Sequence, residues 1–204
     1  MIPNPIDPYG IAKVAGEEVL KALCETHGME WNIAVPHNIV GPRQRYDDPF
    51  RNVMSIMINR NLQGKPAIIY GDGEQTRCFS YVGDCINCLE KMALDPHIVS
   101  QTINIGPDEG IITIKDLAEI IADELGFKDD PMFLPDRPRE VKHASCSAQK
   151  AMELLDYKQN TDVRRCVRET IEYIKEHGEK EFDYYFPIEI ISDKTPTTWK
   201  DRIM

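Results

Sequence analysis

The chain has no long hydrophobic run and no excess of positive charge. None of its apolar stretches approaches the roughly 20 residues that a membrane-spanning helix requires. The formal net charge of the 204 residues is −10 at pH 7, whereas nucleic acids and anionic membranes are bound through cationic surfaces. We therefore expect no nucleic acid and no membrane among the partners, and we expect a cytoplasmic protein.

Cysteine is too sparse for a disulfide-bonded scaffold. Six cysteines are spread over the whole chain, whereas small secreted domains carry cysteines densely. Cys85 and Cys88 form a Cys-x-x-Cys pair, but a metal site requires a second pair or nearby histidines, and none is close in sequence. We expect reduced thiols, no metal site and no redox function for this pair.

A glycine-rich dinucleotide-binding turn is also missing. In a Rossmann fold such a turn joins the first strand to a helix, and its backbone N–H groups bind the pyrophosphate. Gly71 and Gly73 stand between two predicted strands, and Gly106 and Gly110 precede a helix without the required spacing. We therefore expect the chain to lack the half of such a fold that binds most of a dinucleotide.

Hydrophobic periodicity and turn residues predict alternating helices and strands. The predicted helices cover residues 8–28, 53–62, 84–94, 117–125 and 163–177. The predicted strands cover residues 31–36, 67–70, 76–82 and 102–105. Thr113 and Asp116 resemble a capping box, Asp7 is a candidate N-cap, and Ser147 is expected to cap a further helix. The order of elements indicates an α/β protein.

Tyr9 and Lys13 are the first candidates for chemistry. Residues four apart lie on one face of a helix. A neighbouring ammonium favours the ionised form of a phenol, which can then act as a general acid or base on a hydroxyl or carbonyl. The alternative is an ordinary surface pair, because this spacing also occurs by chance.

Five segments, taken together and in order, resemble the motifs of one known family. They are Pro8–Glu17 with Tyr-x-x-x-Lys, Pro36–Gln44 with Asn-x-x-Gly-Pro-Arg, Tyr70–Asp84 with Gly-Asp-Gly and Thr-Arg-x-Phe, Asn104–Gly106, and Arg137–Glu140. The family is the extended short-chain dehydrogenases/reductases, which includes NAD-dependent nucleotide-sugar epimerases and dehydratases. The resemblance covers residues 5 to about 176. It departs from the pattern at Cys78, where the family often has aspartate, and in lacking the catalytic serine or threonine upstream of Tyr9.

The resemblance implies a nicotinamide cofactor, NAD, with NADP as the open alternative. Tyr9 would exchange a proton with the reacting sugar hydroxyl. Lys13 would hydrogen-bond the nicotinamide ribose and assist Tyr9, and Pro36 would lie beside the nicotinamide. Tyr9 and Lys13 are thus the implied catalytic residues, and Tyr9, Lys13 and Pro36 are the implied cofactor-binding residues.

The resemblance also implies a nucleotide-diphosphate sugar as substrate. Asn38, Arg77 and Arg137 would hold the diphosphate, to which an arginine fork is well suited. Glu140 would lie near the nucleotide ribose, and the strand ending at Tyr70 would border the base. The alternatives are a loop cap for Asn38 and surface ion pairs or solvated charges for the two arginines.

The implied fold is α/β: the C-terminal part of a doubly wound (Rossmann) parallel sheet plus a small α/β substrate-binding domain. Residues 1–40 would end the NAD-binding domain and carry the Tyr-x-x-x-Lys helix. Residues 41–204 would mainly form the nucleotide-sugar-binding domain, with segments that return to the Rossmann sheet. The resemblance implies a homodimer, because the family commonly dimerises through the helix of Tyr9 and the helix before it.

The expected function is NAD-dependent epimerisation of a nucleotide sugar, in a chain without its N-terminal cofactor-binding half. Hydride would be removed and returned at one sugar carbon, C4 in the leading hypothesis. Two alternatives are open. One is a nucleotide-sugar dehydratase or reductase of the same family, and the other is a non-catalytic nucleotide-sugar-binding or vestigial fragment.

Overall fold

The computed structural model describes residues 3–204, so the first two residues of the predicted N-terminal unit lie outside the described residues. The helices are α1 (Pro8–His27), α2 (Val53–Leu62), α3 (Val82–Leu94), α4 (Ile114–Leu125), α5 (Gln149–Leu155), α6 (Val163–His177) and α7 (Thr197–Lys200). The strands are β1 (Asn32–Pro36), β2 (Ile39–Val40), β3 (Ile68–Tyr70), β4 (Thr76–Arg77), β5 (Ser80–Tyr81), β6 (Gln101–Ile105), β7 (Ile112–Thr113), β8 (Met132–Leu134) and β9 (His143–Ala144).

Local capping sets the ends of the helices. Helix α1 begins where the Asp7 side chain accepts a hydrogen bond from the Gly10 backbone N–H at 2.8 Å, and it ends at Gly28, whose φ of 63° suits glycine. The capping box of Thr113 and Asp116 at the start of α4 is present as predicted. Helix α5 differs from its prediction, because its N-cap is Ala148, and Ser147 accepts only a long hydrogen bond of 3.4 Å from the Gln149 N–H.

Most strand pairs are parallel, as the α/β prediction requires. Strand β1 pairs with β6, β2 with β5 and β3 with β8, all in parallel. Strand β4 pairs in parallel with β9 and antiparallel with β7. The parallel pairing of β1 with β6, about 70 residues apart in sequence, requires a crossover connection, which is typical of doubly wound folds. The predicted fold class is confirmed.

The predicted strand over residues 76–82 is wrong in detail. It is divided into β4 and β5, which pair with different neighbours, and Val82 already begins α3. The Cys78 carbonyl between the two strands accepts a hydrogen bond from the Asn38 side chain, and the Phe79 ring is buried in the core. The backbone therefore changes direction where tertiary contacts replace ladder hydrogen bonds.

Two hydrophobic clusters form the interior. The larger one lies between α2, α4, α6 and β3 and includes Met54, Met57, Ile58, Ile69, Leu117, Ile121, Val167 and Ile174. The smaller one lies around β6, α3 and α5 and includes Cys85, Cys88, Met92, Ile103, Ile105, Ala151, Leu155 and Tyr157. None of the helices in residues 3–204 is both long enough and apolar enough to cross a membrane.

Helix α1 leaves an apolar face uncovered. Cys24 is its only buried residue within the described part of the chain. Val19 and Leu23, four residues apart and therefore on one face, are 59% and 51% exposed. Exposed apolar surface of this kind marks an interaction site or an aggregation-prone region.

We expect the purified chain to self-associate through this face. The double substitution Val19→Glu and Leu23→Glu should shift it towards monomer, because charge placed on an apolar contact must be desolvated. Sedimentation velocity over a concentration series measures the effect. Ile190→Glu is the control, since Ile190 is 80% exposed outside α1. A wild-type chain that stays monomeric at high concentration would contradict this expectation.

Candidate functional site

Two loops meet beyond the carboxyl ends of neighbouring parallel strands. Tyr70, the last residue of β3, is opposite Leu134, the last residue of β8, and the Gly71 N–H donates to the Leu134 carbonyl at 2.8 Å. A Cβ at Gly71, whose φ is 65°, would collide with the Asp136 carboxylate. The positive φ favours glycine here, whereas the exposed Asp136 side chain could move away from a larger residue. Ligands bind at such carboxyl edges in open α/β sheets.

Two arginines and one glutamate meet at this edge. Glu140 Oε1 lies 2.6 Å from Arg137 Nη2 and 3.6 Å from Arg77 Nη2. The Glu140 side chain is only 11% exposed. Arg77 and Arg137 are separated by 60 positions in sequence, and they are brought together because β4 pairs with β9 and β3 with β8.

This cluster carries an excess of positive charge. A single carboxylate, Glu140, neutralises only one of the two guanidinium groups. Burial lowers the pKa of Arg77, and Glu140 opposes that shift. Arginine nevertheless stays protonated in proteins, so both groups remain cationic. Within the described residues, Arg137 Nε is buried without a hydrogen-bond partner. An unpaired donor on a cation indicates a place for an anion.

Arg137 also stacks on an aromatic ring. Its guanidinium carbon lies 4.8 Å from the centre of the Tyr70 ring. The planar guanidinium is thereby held between the Tyr70 face and the Glu140 carboxylate. Arg137 is therefore not a freely solvated charge, because it contacts both Tyr70 and Glu140. Arg77 lies closest to the carboxylate of Glu140, at 3.6 Å.

The predicted residues at the end of β1 lie beside β4. Pro36 is exposed at the carboxyl end of β1, opposite Ile105. Asn38 Nδ2 donates to the backbone carbonyl of Cys78 at 3.0 Å. Cys78 is the residue that follows Arg77 in the sequence. A side chain that bonds a loop carbonyl is what the alternative role of Asn38, a loop cap, would produce. A contact between Asn38 and the diphosphate therefore stays a prediction.

His37 follows Pro36, and its backbone N–H donates to the Ile105 carbonyl at 2.9 Å. Burial lowers the pKa of its imidazole, and the charge of Arg77 acts in the same direction. His37 is therefore uncharged near neutral pH. The positive charge of the site comes from the arginines.

Tyr9 and Lys13 lie on the exposed side of α1. Lys13 Nζ is 5.3 Å from the centre of the Tyr9 ring, and Tyr9 is 72% exposed. The start of α1 is tied to the arginine-containing loop, because Arg139 Nη1 donates to the carbonyl of Ile6 at 3.2 Å. The Tyr9 ring and the Lys13 ammonium are thus neighbours on an exposed face of α1, and their catalytic roles stay predictions.

The comparison with known families decides the identity. Residues 1–106, about half of the chain, match the NAD dependent epimerase/dehydratase family. The chain belongs to this family. The resemblance drawn from the five sequence motifs is therefore correct.

Relatives of this family member include several sugar-nucleotide enzymes. A putative UDP-glucose 4-epimerase of Methanocaldococcus jannaschii is 34% identical over 177 residues, which are 86% of this chain and 55% of that protein. UDP-glucuronic acid decarboxylase 1 of Xenopus tropicalis is 32% identical over 180 residues, which are 86% of this chain and 41% of that protein. The chain spans about half the length of the curated relatives it matches.

Solved structures show the same fold. UDP-glucuronic acid 4-epimerase from Bacillus cereus, in complex with UDP-glucuronic acid and NAD, is 30% identical with a TM-score of 0.80, covering 87% of this chain and 55% of that one. UDP-glucose 4-epimerase from Thermotoga maritima, with UDP-glucose, is 29% identical with a TM-score of 0.78, covering 86% and 56%. The family is thus one of NAD-dependent enzymes, and these two solved structures hold nucleotide sugars.

The Cys-x-x-Cys pair of this family member is part of its core. Cys85 and Cys88 are both buried, and burial raises the pKa of Cys85 to about 12. A thiol with so high a pKa stays protonated and unreactive at neutral pH. No group of side chains that could hold a metal ion occurs in the part of the chain that the structure describes.

Two contacts at the site were not predicted from the sequence. The Arg139 contact to the start of α1 joins positions 133 apart. The hydroxyl of Tyr70 contacts Thr198 of the C-terminal region at 2.7 Å. Although Arg139 and Tyr70 lie within motif segments, their partners Ile6 and Thr198 do not form a sequence pattern with them, so the sequence would not have found these pairs. The positive φ of 56° at Arg139 likewise has no local sequence signal.

Proposed function

We propose that this chain is the nucleotide-sugar-binding part of an NAD-dependent nucleotide-sugar 4-epimerase. The observation that carries the proposal is the pair of arginines, Arg77 and Arg137, held around one largely buried glutamate at the carboxyl edge of parallel strands. Its excess positive charge and its unpaired Nε donor suit the diphosphate common to all nucleotide sugars. Relatives that bind UDP-glucose or UDP-glucuronic acid support UDP as the nucleotide.

The remaining groups of the cluster suit the rest of the nucleotide. Both arginine contacts fall on Glu140 Oε1, which leaves Oε2 as an acceptor for the ribose hydroxyls. Tyr70 presents an aromatic ring at the end of β3, beside Arg137. A base that stacks near this ring would be continuous with a diphosphate on the arginines.

Tyr9 would carry the proton transfer at the sugar. Its accessible phenol, with the Lys13 ammonium beside the ring, would accept the proton of the 4-hydroxyl and later return it. Bound NAD supplies the hydride acceptor, and the chain's own residues orient the sugar and move the proton. Arg77 and Arg137 would keep the keto sugar attached through its diphosphate while it presents its other face.

The described residues fit only one end of NAD. Tyr9, Lys13 and Pro36 would hold the nicotinamide and its ribose. For the pyrophosphate, residues 3–204 contain no glycine-rich turn between a parallel strand and a helix, since Gly71 and Gly73 join β3 to β4 and Gly106 precedes β7. Such a turn supplies the backbone donors that bind the pyrophosphate.

We therefore expect the chain alone to bind NAD with a Kd of about 1 mM or weaker. Isothermal titration of the 204-residue chain with NAD measures this affinity. A titration of the same preparation with UDP-glucose is the control for a folded site. A Kd for NAD in the micromolar range would show that the pyrophosphate finds partners elsewhere in this chain.

The experiment that tests the proposed function is a panel of nucleotide sugars. The chain is titrated with UDP-, GDP-, CDP- and dTDP-sugars, and the strongest binder identifies the base. A longer form that also contains an NAD-binding half is then incubated with that sugar, and NMR identifies the product. An inverted hydroxyl at C4 supports epimerisation, whereas no binding by any nucleotide sugar contradicts the proposal.

A second candidate is decarboxylation or dehydration within the same family. The observation in its favour is the 32% identity to UDP-glucuronic acid decarboxylase 1 of Xenopus tropicalis. The same NMR experiment separates the two, because loss of carbon dioxide or water changes the carbon skeleton or its oxygen count, and epimerisation changes neither. Binding without any product would support a non-catalytic binding module.

A further inference from the structure

The segment 178–204, which we call the C-terminal segment, lies beyond the family motifs and is fastened to α2. The buried side chain of Asn59 bonds both backbone groups of Lys180, with Nδ2 donating to its carbonyl at 2.8 Å and Oδ1 accepting from its N–H at 3.0 Å. At the other end of the segment, the carbonyl of Ile203 accepts from Nη1 of the buried Arg60 at 3.0 Å. The segment is thus held at both ends rather than lying loosely on the surface.

An aromatic cluster holds the middle of the C-terminal segment. The rings of Tyr184 and Trp199 meet the Phe50 ring edge-on, at centroid distances of 6.1 and 5.4 Å. The Tyr184 hydroxyl donates to the carbonyl of Thr198 at 2.9 Å. These contacts fix the backbone of α7 and leave Thr198 fully buried.

Thr198 holds the hydroxyl of Tyr70. Thr198 Oγ1 lies 2.7 Å from the Tyr70 hydroxyl oxygen, and the Thr198 N–H donates to the same oxygen at 3.2 Å. Two contacts from one buried residue fix the far end of the Tyr70 ring. Arg137 stacks on the face of that ring, 4.8 Å from its centre.

We infer that Thr198 is a positioning residue for the nucleotide-sugar site, acting through Tyr70 on Arg137. When an arginine stacked on a mobile aromatic ring binds a phosphate, both the arginine and the aromatic side chain lose rotational freedom. A ring already fixed by Thr198 removes part of that cost before the ligand arrives. The inference rests on the proposed function, because it assigns a task in binding the same diphosphate.

Thr198→Val tests the inference in the full chain, because it removes the hydroxyl while keeping the size of the side chain. We expect the Kd for UDP-glucose, measured by isothermal titration, to rise roughly two- to tenfold, the range for one lost neutral hydrogen bond. Thr197→Val is the matched control, since the Thr197 hydroxyl has no hydrogen-bond partner among residues 3–204. Thr198→Ser, which keeps the hydroxyl, should restore the wild-type Kd.

A double-mutant cycle with Arg137→Ala separates positioning from a general structural effect. If Thr198 acts through Arg137, Thr198→Val has little further effect on the Kd once Arg137 is alanine. If Thr198 only supports the fold, the Kd changes by the same factor in both backgrounds, and the inference is wrong. Should Thr198→Val not fold, Tyr70→Phe replaces it in the cycle, because it removes the contact with Thr198 Oγ1 together with the bond from the Thr198 N–H.

The wild-type titration keeps the two proposals apart. A wild-type chain that binds no UDP-sugar contradicts the proposed function itself. A wild-type chain that binds UDP-glucose, together with a Thr198→Val variant of unchanged Kd, contradicts only the role of Thr198.

Discussion

Tyr9→Phe is expected to lower the turnover of the nucleotide sugar by about 100-fold or more, in a form of the protein that includes an NAD-binding half. The substitution removes only the hydroxyl, which is the group proposed to accept the proton of the sugar. Its effect should fall on kcat, because Tyr9 is 72% exposed at the start of α1 and holds no other part of the fold in place. NMR of the sugar product over time measures the rate.

Tyr173→Phe is the matched control for this experiment. Tyr173 lies in α6, and its hydroxyl has no hydrogen-bond partner in the part of the chain described by the structure. Its loss should leave turnover unchanged. Equal turnover of wild type and Tyr9→Phe would mean that the active site is not on α1, whatever the sequence motif indicates.

Arg137→Ala is expected to weaken UDP-glucose binding by about 10- to 100-fold, which corresponds to a charge-assisted hydrogen bond of about 1.5–3 kcal/mol. Arg77→Ala should have an effect of similar size. Either change also leaves Glu140 with one cationic partner fewer, so the local charge becomes less favourable for a diphosphate. Titration calorimetry at two salt concentrations measures the loss.

Arg164→Ala is the control for the arginine variants. Arg164 pairs with Glu124 at 2.9 Å on the surface between α4 and α6, away from the two loops of the site. It should bind UDP-glucose as the wild type does. Unchanged affinity in both Arg77→Ala and Arg137→Ala would show that the diphosphate does not lie on this cluster.

Features that depend on neighbouring residues could be predicted from the sequence. The caps of α1 and α4 form between residues three positions apart, so their side chains signal the helix ends directly. The distance from Tyr9 to Lys13 follows from helix geometry alone, and the structure finds the pair as the spacing predicts. The same holds for the α/β class, which the alternation of elements indicates.

Features that depend on pairing between distant strands were not predictable. The single strand expected over residues 76–82 becomes two, because Cys78 and Phe79 are engaged by Asn38 and by the core. Likewise, no pattern in the sequence indicates that Arg77 contacts Glu140, and the pairing of β4 with β9 brings the two residues together. A local sequence pattern contains no information about which distant strand will pair with a given strand.

By itself, then, the sequence determined the capped starts of α1 and α4, the α/β class and the family. The tertiary structure alone decided that Arg77 and Arg137 share Glu140, and that Thr198 holds Tyr70 beneath Arg137. The physical reason is the range of the interactions. Caps and helix-face pairs form within one turn of the chain. The contact of Arg77 with Glu140 and the contact of Tyr70 with Thr198 join residues 63 and 128 positions apart, which only the packed fold brings together.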